Sequence, residues 1–265
     1  MKKRKSLGQN FLTDEVVAKK IVDSVHLHED QKILEIGPGR GILTRFLLER
    51  GLHVNALEID PNLCPNLIEQ FKKYPNFHLI QGDALKWDFS NFGPLFQVVS
   101  NLPYYAATHI LKRLIGYRSH VIDMIVMLQK EVVDRLVAIP GQRDYSSLTI
   151  FIQYYCQVER LFEVRKECFS PVPKIDSSVI RITPLKQPKV NVGDDKTFFK
   201  VIHSAFLHKR KMLKNNFKHW DSFFVKENGK LLLADIDLNR RGETLSIYEF
   251  AAISNFLYLR DISGF

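Results

Sequence analysis

A side-chain amide and an aromatic ring stand together in the segment Asn101-Leu102-Pro103-Tyr104, directly after the apolar run 95–100. The run predicts a buried strand, and because Pro103 cannot continue a strand ladder, the chain should turn there. The Asn101 amide oxygen and a neighbouring carbonyl can accept both N–H bonds of an exocyclic amine, while Tyr104 stacks on the attached ring. Accepting both hydrogens frees the nitrogen lone pair for attack. Asn-x-Pro is also an ordinary turn signal, so these residues alone leave a structural role open.

Three further strand ends carry residues suited to a nucleoside ligand. Gly37 and Gly39 belong to a glycine loop, where a ligand can approach the backbone closely. The G-x-G-x-G spacing misses the dinucleotide fingerprint by one residue. Glu58 follows Gly37 by 21 positions and can accept from both ribose hydroxyls, and Asp83 ends the next strand, where it can accept from an adenine amine. This set predicts an adenosine without a pyrophosphate, and capping of local turns is the alternative for both carboxylates.

The composition indicates a globular protein with a polyanionic partner. The 265 residues are 45% hydrophobic and carry a net charge of +9, which favours nucleic acid or an acidic membrane surface. Three widely spaced cysteines without a C-x-x-C pair argue against a disulfide framework or a zinc site, so we predict no metal and a cytoplasmic location. Because no apolar stretch is long enough to span a bilayer, we predict no membrane association.

Alternating apolar runs and amphipathic segments predict a mostly parallel, doubly wound α/β sheet. A helix capped by Thr13 or Asp14 should precede it. The predicted strands are 32–36, 53–57, 77–80, 95–100 and 121–128, followed by late strands within 153–165 and 177–182. The predicted helices follow Gly41, begin at Pro61, and fill 106–116 and 129–138.

A change of pattern after Pro184 predicts two domains, one over 1–185 and a smaller, all-helical one over 195–265. Residues 186–265 hold 14 Lys and Arg against 9 Asp and Glu, so more than half of the excess charge lies there. Basic residues recur every four positions from Arg210, which predicts an amphipathic helix with a cationic edge that follows phosphates. A solvated helix face is the alternative. The candidates for RNA contact are Lys209, Arg210, Lys211, Lys214, Arg240 and Arg241.

Taken together, six segments resemble the ribosomal RNA adenine dimethyltransferases of the KsgA type, in order from about residue 5 to the C-terminus. The segments are 8–12, 35–41, 58–60, 82–84, 101–104 and 169–174. The resemblance implies a Rossmann-like class I methyltransferase sheet in the first domain and S-adenosylmethionine as methyl donor. It also implies transfer of two methyl groups to N6 of each of two adjacent adenines near the 3′ end of small-subunit rRNA, during ribosome maturation.

The resemblance also assigns roles by matching position. Asn101 and Tyr104 should orient and stack the target adenine, and Phe169 is the candidate for the opposite face of the base, with a core aromatic as its alternative. The C-terminal domain should bind the rRNA of an immature small subunit, and the protein should be monomeric. The residues placed around the cofactor are Asn10, Leu12, Gly37, Gly39, Glu58, Asp83 and Asn101.

Other functions share parts of this pattern. The erythromycin-resistance methylases, which modify large-subunit rRNA, should have an almost identical pocket, and the segment 206–216 favours the small-subunit enzyme over them. An adenine methyltransferase acting on DNA is a second alternative. A non-catalytic ribosome assembly factor is a third, although it would not need Glu58, Asp83 and Asn101 together. The failed dinucleotide fingerprint disfavours an oxidoreductase.

Overall fold

The chain divides into two compact units in a computed structural model that describes residues 10–26 and 32–262. Among the described residues, the first unit comprises those up to Val133 together with Gln157–Pro184. The second comprises Asp134–Cys156 together with those from Leu185 onward. The first unit ends at Pro184. The segment Asp134–Cys156 differs from the expected division, because it groups with the C-terminal part of the chain.

The first unit is built on a seven-stranded sheet, with a separate two-stranded pair beside it. Its strands are β1 (Phe11–Leu12), β2 (Lys32–Ile36), β3 (His53–Glu58), β4 (Phe77–Gln81), β5 (Phe96–Asn101), β6 (Val121–Gln129), β7 (Cys156–Val164), β8 (Phe169–Ser170) and β9 (Ser177–Pro184). The order in the large sheet is β4-β3-β2-β5-β6-β9-β7, and β1 pairs with β8. The doubly wound α/β sheet is therefore confirmed.

Parallel pairing brings four strand ends to one edge of the sheet. β3 pairs in parallel with β2 and β4, and β5 pairs in parallel with β2 and β6. The pairing continues into the loops, because Gly37 N donates to Leu57 O at 2.9 Å and Gly82 N donates to Glu58 O at 2.8 Å. Ligands of open α/β sheets bind at this carboxyl edge.

The helices that cover the sheet follow the predicted pattern closely. In the order of the chain they are α1 (Glu15–Asp23), α2 (Ile42–Glu49), α3 (Cys64–Phe71), α4 (Ala107–Gly116) and α5 (Lys130–Val137). Asp14 is the N-cap of α1, since its carboxylate accepts from Val16 N at 2.9 Å and from Val17 N at 3.1 Å. The start of α3 differs from the prediction. Pro61 lies in a turn held by the Asp60 carboxylate, which accepts from Asn62 N at 3.0 Å.

The second unit is mostly helical but also contains a small antiparallel sheet. Its helices are α6 (Ser147–Tyr155), α7 (Asp195–Phe206), α8 (Leu213–Asn216) and α9 (Ile247–Ile262), and its strands are β10 (Val225–Glu227), β11 (Lys230–Leu233) and β12 (Ile236–Asp237). This sheet differs from the prediction of an all-helical domain. Its first hairpin turns at Asn228-Gly229, where both residues have positive φ, the combination that a tight hairpin turn requires.

The predicted cationic helix across residues 206–218 is absent from the described structure, because α7 ends at Phe206. The Asn216 side chain explains the break. Its Nδ2 donates to Ala205 O at 2.8 Å and to His208 O at 3.3 Å, which satisfies carbonyls at the end of α7 while the chain turns back. Leu213 then begins a separate short helix.

No helix within residues 10–26 and 32–262 is both long and apolar enough to cross a membrane. Over the same ranges, no group of three or more His, Cys, Asp or Glu side chains is arranged to hold a metal ion.

Gly41, at the start of α2, provides a test of the packing beneath the site. Its φ is +78°, and a Cβ added there would lie 2.6 Å from Phe71 Cε2. Gly51 has a φ of +77° and nothing within 4 Å of an added Cβ. We expect Gly51→Ala to lower the free energy of unfolding by about 1–2 kcal/mol through backbone strain alone. Gly41→Ala should cost about 1–3 kcal/mol more, because Phe71 must move. Urea unfolding of both variants measures the difference, and equal losses would contradict the packing argument.

Candidate active site

An open cleft of about 810 Å³ lies at the carboxyl edge of the large sheet. It is bordered by the segment Asn10–Leu12, the glycine loop after β2, the end of β3, and Asn101–Tyr105 after β5. Ligand sites of open α/β sheets lie at this edge. Parallel pairing brings the three segments after β2, β3 and β5 together, and the antiparallel pairing of β1 with β8 holds the fourth, Asn10–Leu12.

The glycine loop forms one wall of the cleft and depends on its lack of side chains. Gly37 and Gly39 have φ values of +69° and +60°, in the region that favours glycine. A Cβ on Gly39 would lie 3.0 Å from the ring of Phe11, which also lines the cleft. The loop can therefore present its backbone to a ligand only with glycine at these positions.

The carboxylate of Glu58 is fixed by two backbone donors at the end of β3. Its Oε2 accepts from Gly39 N at 3.2 Å and its Oε1 accepts from Asp60 N at 2.8 Å. The residue is 2% exposed and still borders the cleft. Burial raises the pKa of Glu58, and the two N–H donors partly oppose that rise. Glu58 thus ties the glycine loop to β3 and offers the remaining lone pairs of its oxygens to a ligand.

Asp83 lies in a smaller neighbouring cavity of about 310 Å³, which shares Gly37, Ile59, Pro103 and Tyr105 with the main cleft. Its Oδ1 accepts from Leu85 N at 2.8 Å, so this carboxylate also shapes its own turn. Glu58 and Asp83, the two carboxylates predicted to bind the ligand, therefore line adjoining cavities. The Asp83 carboxylate also holds its own turn, which is the alternative role given for it.

Asn101 and Tyr104 occupy the other side of the cleft. The amide oxygen of Asn101 is buried and has no hydrogen-bond partner, although it belongs to a residue that lines the cleft. An unpaired buried acceptor is costly and calls for a donor from a ligand or water. The Tyr104 hydroxyl lies 2.7 Å from Ser177 Oγ, which fixes the ring. The strand end is anchored by Ser100, whose Oγ donates to Ile36 O at 2.5 Å.

Leu12 and Phe169 pair with each other, but only Leu12 lines the cleft. Phe169 is 2% exposed and belongs to the buried hydrophobic core that also includes Val22 and Val179. The structure therefore places Phe169 as a core aromatic, the alternative considered above, and does not bring it to the target side of the cleft. Burial of this large apolar ring in the core is favourable, which accounts for its position. Asn10 and Leu12 both line the cleft.

Glu35 and Tyr105 are among the cleft residues to which the sequence analysis gives no role. Glu35 lies in the otherwise apolar centre of β2 and is 1% exposed. Its Oε2 accepts a hydrogen bond of 2.6 Å from Thr44 Oγ1. Burial, with a smaller contribution from the charge of Glu58, raises the pKa of Glu35 to about 8. A carboxyl group inside an apolar strand was the available signal for this residue.

The six predicted RNA contacts come together in the second unit. Met212 bridges to Arg241, and Leu213 N donates to Arg240 O at 2.8 Å, so the two basic segments lie side by side. We call these six residues the basic turn. Its members differ in exposure. Arg240 hydrogen-bonds Glu249 and Lys214 donates to Asn239 at 2.9 Å, whereas Arg210 is exposed.

The comparison with known proteins decides the class of this chain. A model of the family described as "Ribosomal RNA adenine dimethylase" matches residues 1–258. The chain belongs to this family. It is 45% identical over 257 residues to the "Ribosomal RNA small subunit methyltransferase A" of Clostridium acetobutylicum, covering 96% of this chain and 93% of that protein. The protein of the same name from Saccharophagus degradans is 44% identical over 260 residues, covering 96% and 94%.

Solved structures agree with the fold. A dimethyladenosine transferase from Plasmodium falciparum has a TM-score of 0.74 at 24% identity, covering 96% of this chain and 98% of that chain. The 23S rRNA methyltransferase ErmE has a TM-score of 0.72 at 22% identity, covering 94% and 100%. At these identities the two likenesses establish the shared fold of the rRNA adenine dimethylase family and nothing finer.

S-adenosylmethionine is the methyl donor of this enzyme, and the residues that line the cleft fit this cofactor. The glycine loop leaves its backbone open, as a close-lying ligand requires, and Glu58 offers a fixed carboxylate at the cleft wall. On the opposite side, the unpaired Asn101 oxygen requires a donor. The predicted family, enzyme class and cofactor are thereby confirmed, while the roles of individual residues remain predictions.

The buried Glu35 predicts a pH dependence of stability. Its ordinary pKa of 4.5 is raised to about 8 in the folded protein, so between these values the folded chain holds a proton that the unfolded chain has released. Stability should therefore fall as pH rises through this window. Glu35→Gln removes the effect. The free energy of unfolding of this variant, relative to that of the wild type, should therefore increase by roughly 1.4 kcal/mol for each unit by which the pH rises. Urea unfolding at pH 6 and pH 8 checks this. A constant difference between the two proteins would contradict the assignment.

Proposed function

We propose that this enzyme dimethylates N6 of two adjacent adenines near the 3′ end of small-subunit rRNA, within an immature small ribosomal subunit in the cytoplasm. The named relatives at 41–45% identity support the small subunit as the substrate. The observation that carries the residue assignment is the buried, unpaired Asn101 oxygen at the cleft. The alternative substrate, large-subunit rRNA, is supported only by the similarity of fold to the 23S rRNA methyltransferase ErmE.

On the donor side of the cleft, where the methyl donor would bind, residues at three strand ends would hold the cofactor. Asn10, Leu12 and the glycine loop would enclose the cofactor, Glu58 would accept from the ribose hydroxyls, and Asp83 would accept from the adenine amine. When bound, S-adenosylmethionine supplies a methyl group already activated by its sulfonium. The protein therefore needs no metal and no strong nucleophile for this reaction, and its contribution is to position the reactants.

The acceptor side would be held by the turn after β5. Asn101 Oδ1 accepts one N6–H bond of the target adenine, and its need for a donor favours this contact. Pro103 O already accepts from Ala106 N at 3.0 Å, so the adjacent Leu102 carbonyl is the candidate for the second N–H. Two accepted hydrogens leave the N6 lone pair directed at the methyl group.

Tyr104 would hold the plane of the target base. Its hydroxyl is fixed by Ser177, and burial raises the pKa of Tyr104, so the phenol stays neutral during the reaction. The target adenine must leave its stack to reach this ring, and an aromatic face stabilises such a flipped base. The same site can serve each of the two methyl transfers, because a monomethylated amine still has one N–H for Asn101.

The basic turn of the second unit would bind the rRNA backbone. Lys209, Arg210 and Lys211 are exposed and can reach phosphates. Arg240 is held by Glu249 and by the Thr244 carbonyl, so it also maintains the shape of the turn. Binding by phosphate contacts should weaken linearly in the logarithm of the salt concentration. In this proposal the first unit is the catalytic domain, the second is the rRNA-binding domain, and the enzyme is a monomer.

Transfer of labelled methyl groups from S-adenosylmethionine tests the substrate. We expect label in undermethylated small subunits, recovered as N6,N6-dimethyladenosine, and none in large-subunit RNA or DNA offered in parallel. Label confined to large-subunit RNA would place the enzyme with the resistance methylases. Label in DNA would indicate a DNA methyltransferase, and cofactor binding without transfer to any substrate would support the assembly-factor alternative.

Asn101 and Glu58 should separate transfer from cofactor binding. Asn101→Ala should lower the rate of methyl transfer by at least about 100-fold, because the amine loses its orientation, while the affinity for cofactor changes little. Glu58→Ala should weaken cofactor binding instead. Calorimetric titration with S-adenosylhomocysteine and single-turnover transfer measure the two properties. Undiminished transfer by Asn101→Ala, or undiminished affinity in Glu58→Ala, would refute the corresponding role.

A further inference from the structure

Two successive tyrosines at the end of β5 lie in different surroundings. The Tyr104 hydroxyl contacts Ser177, and its ring is partly buried on the acceptor side. Tyr105 is 57% exposed, yet it lines both the main cleft and the smaller cavity that contains Asp83. The side chain of Tyr105 therefore stands where the two cavities meet, with much of its ring open to solvent.

The neighbouring charges show which side of the site Tyr105 belongs to. Burial, followed by the charges of Asp83 and Glu58, raises the pKa of the Tyr105 phenol. Tyr105 lines the smaller cavity together with Asp83 and the main cleft together with Glu58. These carboxylates are the two that are proposed to bind the adenosine part of the methyl donor. Tyr105 is thus on the donor side, although it follows Tyr104 directly.

An exposed aromatic ring at the boundary of a nucleoside cavity is suited to one kind of partner. A planar heterocycle placed against the ring would bury its apolar face, while the hydroxyl could remain in contact with water. Stacking of this kind tolerates any base and does not require the tyrosine hydroxyl. The other shared wall residues, Gly37, Ile59 and Pro103, offer no aromatic ring for this purpose.

We propose that Tyr105 is a cofactor-binding residue whose ring covers the solvent-facing side of the purine of the methyl donor. This inference rests on the proposed function, because it takes the adenosine of S-adenosylmethionine to lie between Glu58 and Asp83. It assigns a contact beyond the seven cofactor residues predicted from the sequence. The donor and its product S-adenosylhomocysteine share the purine, so both would contact the ring.

Calorimetric titrations of Tyr105→Ala and Tyr105→Phe test the cover. The ligands are S-adenosylmethionine, S-adenosylhomocysteine and adenosine, which lacks the methionine part. Loss of the ring in Tyr105→Ala should raise the Kd of all three by about tenfold, whereas Tyr105→Phe should stay within about twofold of the wild type. Ile68→Ala is the matched control, because Ile68 is also 57% exposed but lies outside the linings of both cavities. It should leave every Kd unchanged.

Several results would overturn the proposal. An unchanged Kd for Tyr105→Ala would show that the ring does not cover the cofactor. An unchanged cofactor Kd with a raised KM for rRNA would place the ring against RNA instead. A loss seen with S-adenosylmethionine but not with adenosine would move the contact away from the purine. Thermal unfolding without ligand should be nearly the same for all variants, which excludes a folding defect as the cause of weak binding. If the wild type itself binds none of the three ligands, the proposed function fails and this inference falls with it.

Discussion

Parallel pairing of β2 with β3 and β5, and of β3 with β4, is the constraint on which the site depends. Each strand of this set ends at the same edge, so each following loop must turn within the same small region. The polar groups at these ends are then close to one another in a poorly solvated place, which penalises their charges. Backbone donors offset the penalty for Glu58 and the Thr44 hydroxyl does so for Glu35. Burial of the polar groups of the cleft is therefore costly, but apart from the Asn101 amide oxygen they have hydrogen-bond partners.

In the proposed function, the turn after β5 serves both reactants. Asn101 and Tyr104 would belong to the acceptor side, while Tyr105 lines the two cavities that contain Glu58 and Asp83. Pro103 lies between them and lines both cavities. A single short segment can thus fix the distance between donor and acceptor, which is the quantity that governs a direct methyl transfer.

The second unit shows how a basic surface is kept in shape by acidic and amide side chains. Glu249 holds Arg240, and Asn216 caps the carbonyls at the end of α7. Removing either partner would change the position of cations that do not themselves make those bonds. The charge count of the segment therefore says less about RNA contact than the fold of its turns, because some of its cations are engaged in holding the protein together.

Local signals in the sequence determined the central strands, the Asp14 cap, the glycine loop and the strand ends that carry Glu58, Asp83 and Asn101, since each depends on neighbours only a few residues away. The hairpin at Asn228-Gly229 has a local signal of the same kind, because Asn-Gly favours a two-residue turn between strands. Long-range contacts decided the rest. The core that distant segments form buried Phe169. The Asn216 amide donates to Ala205 O where α7 ends, although periodicity alone would have continued the helix. Tertiary structure likewise set Tyr105 between two cavities and buried Glu35, because exposure and electrostatic surroundings arise only when distant segments are packed together.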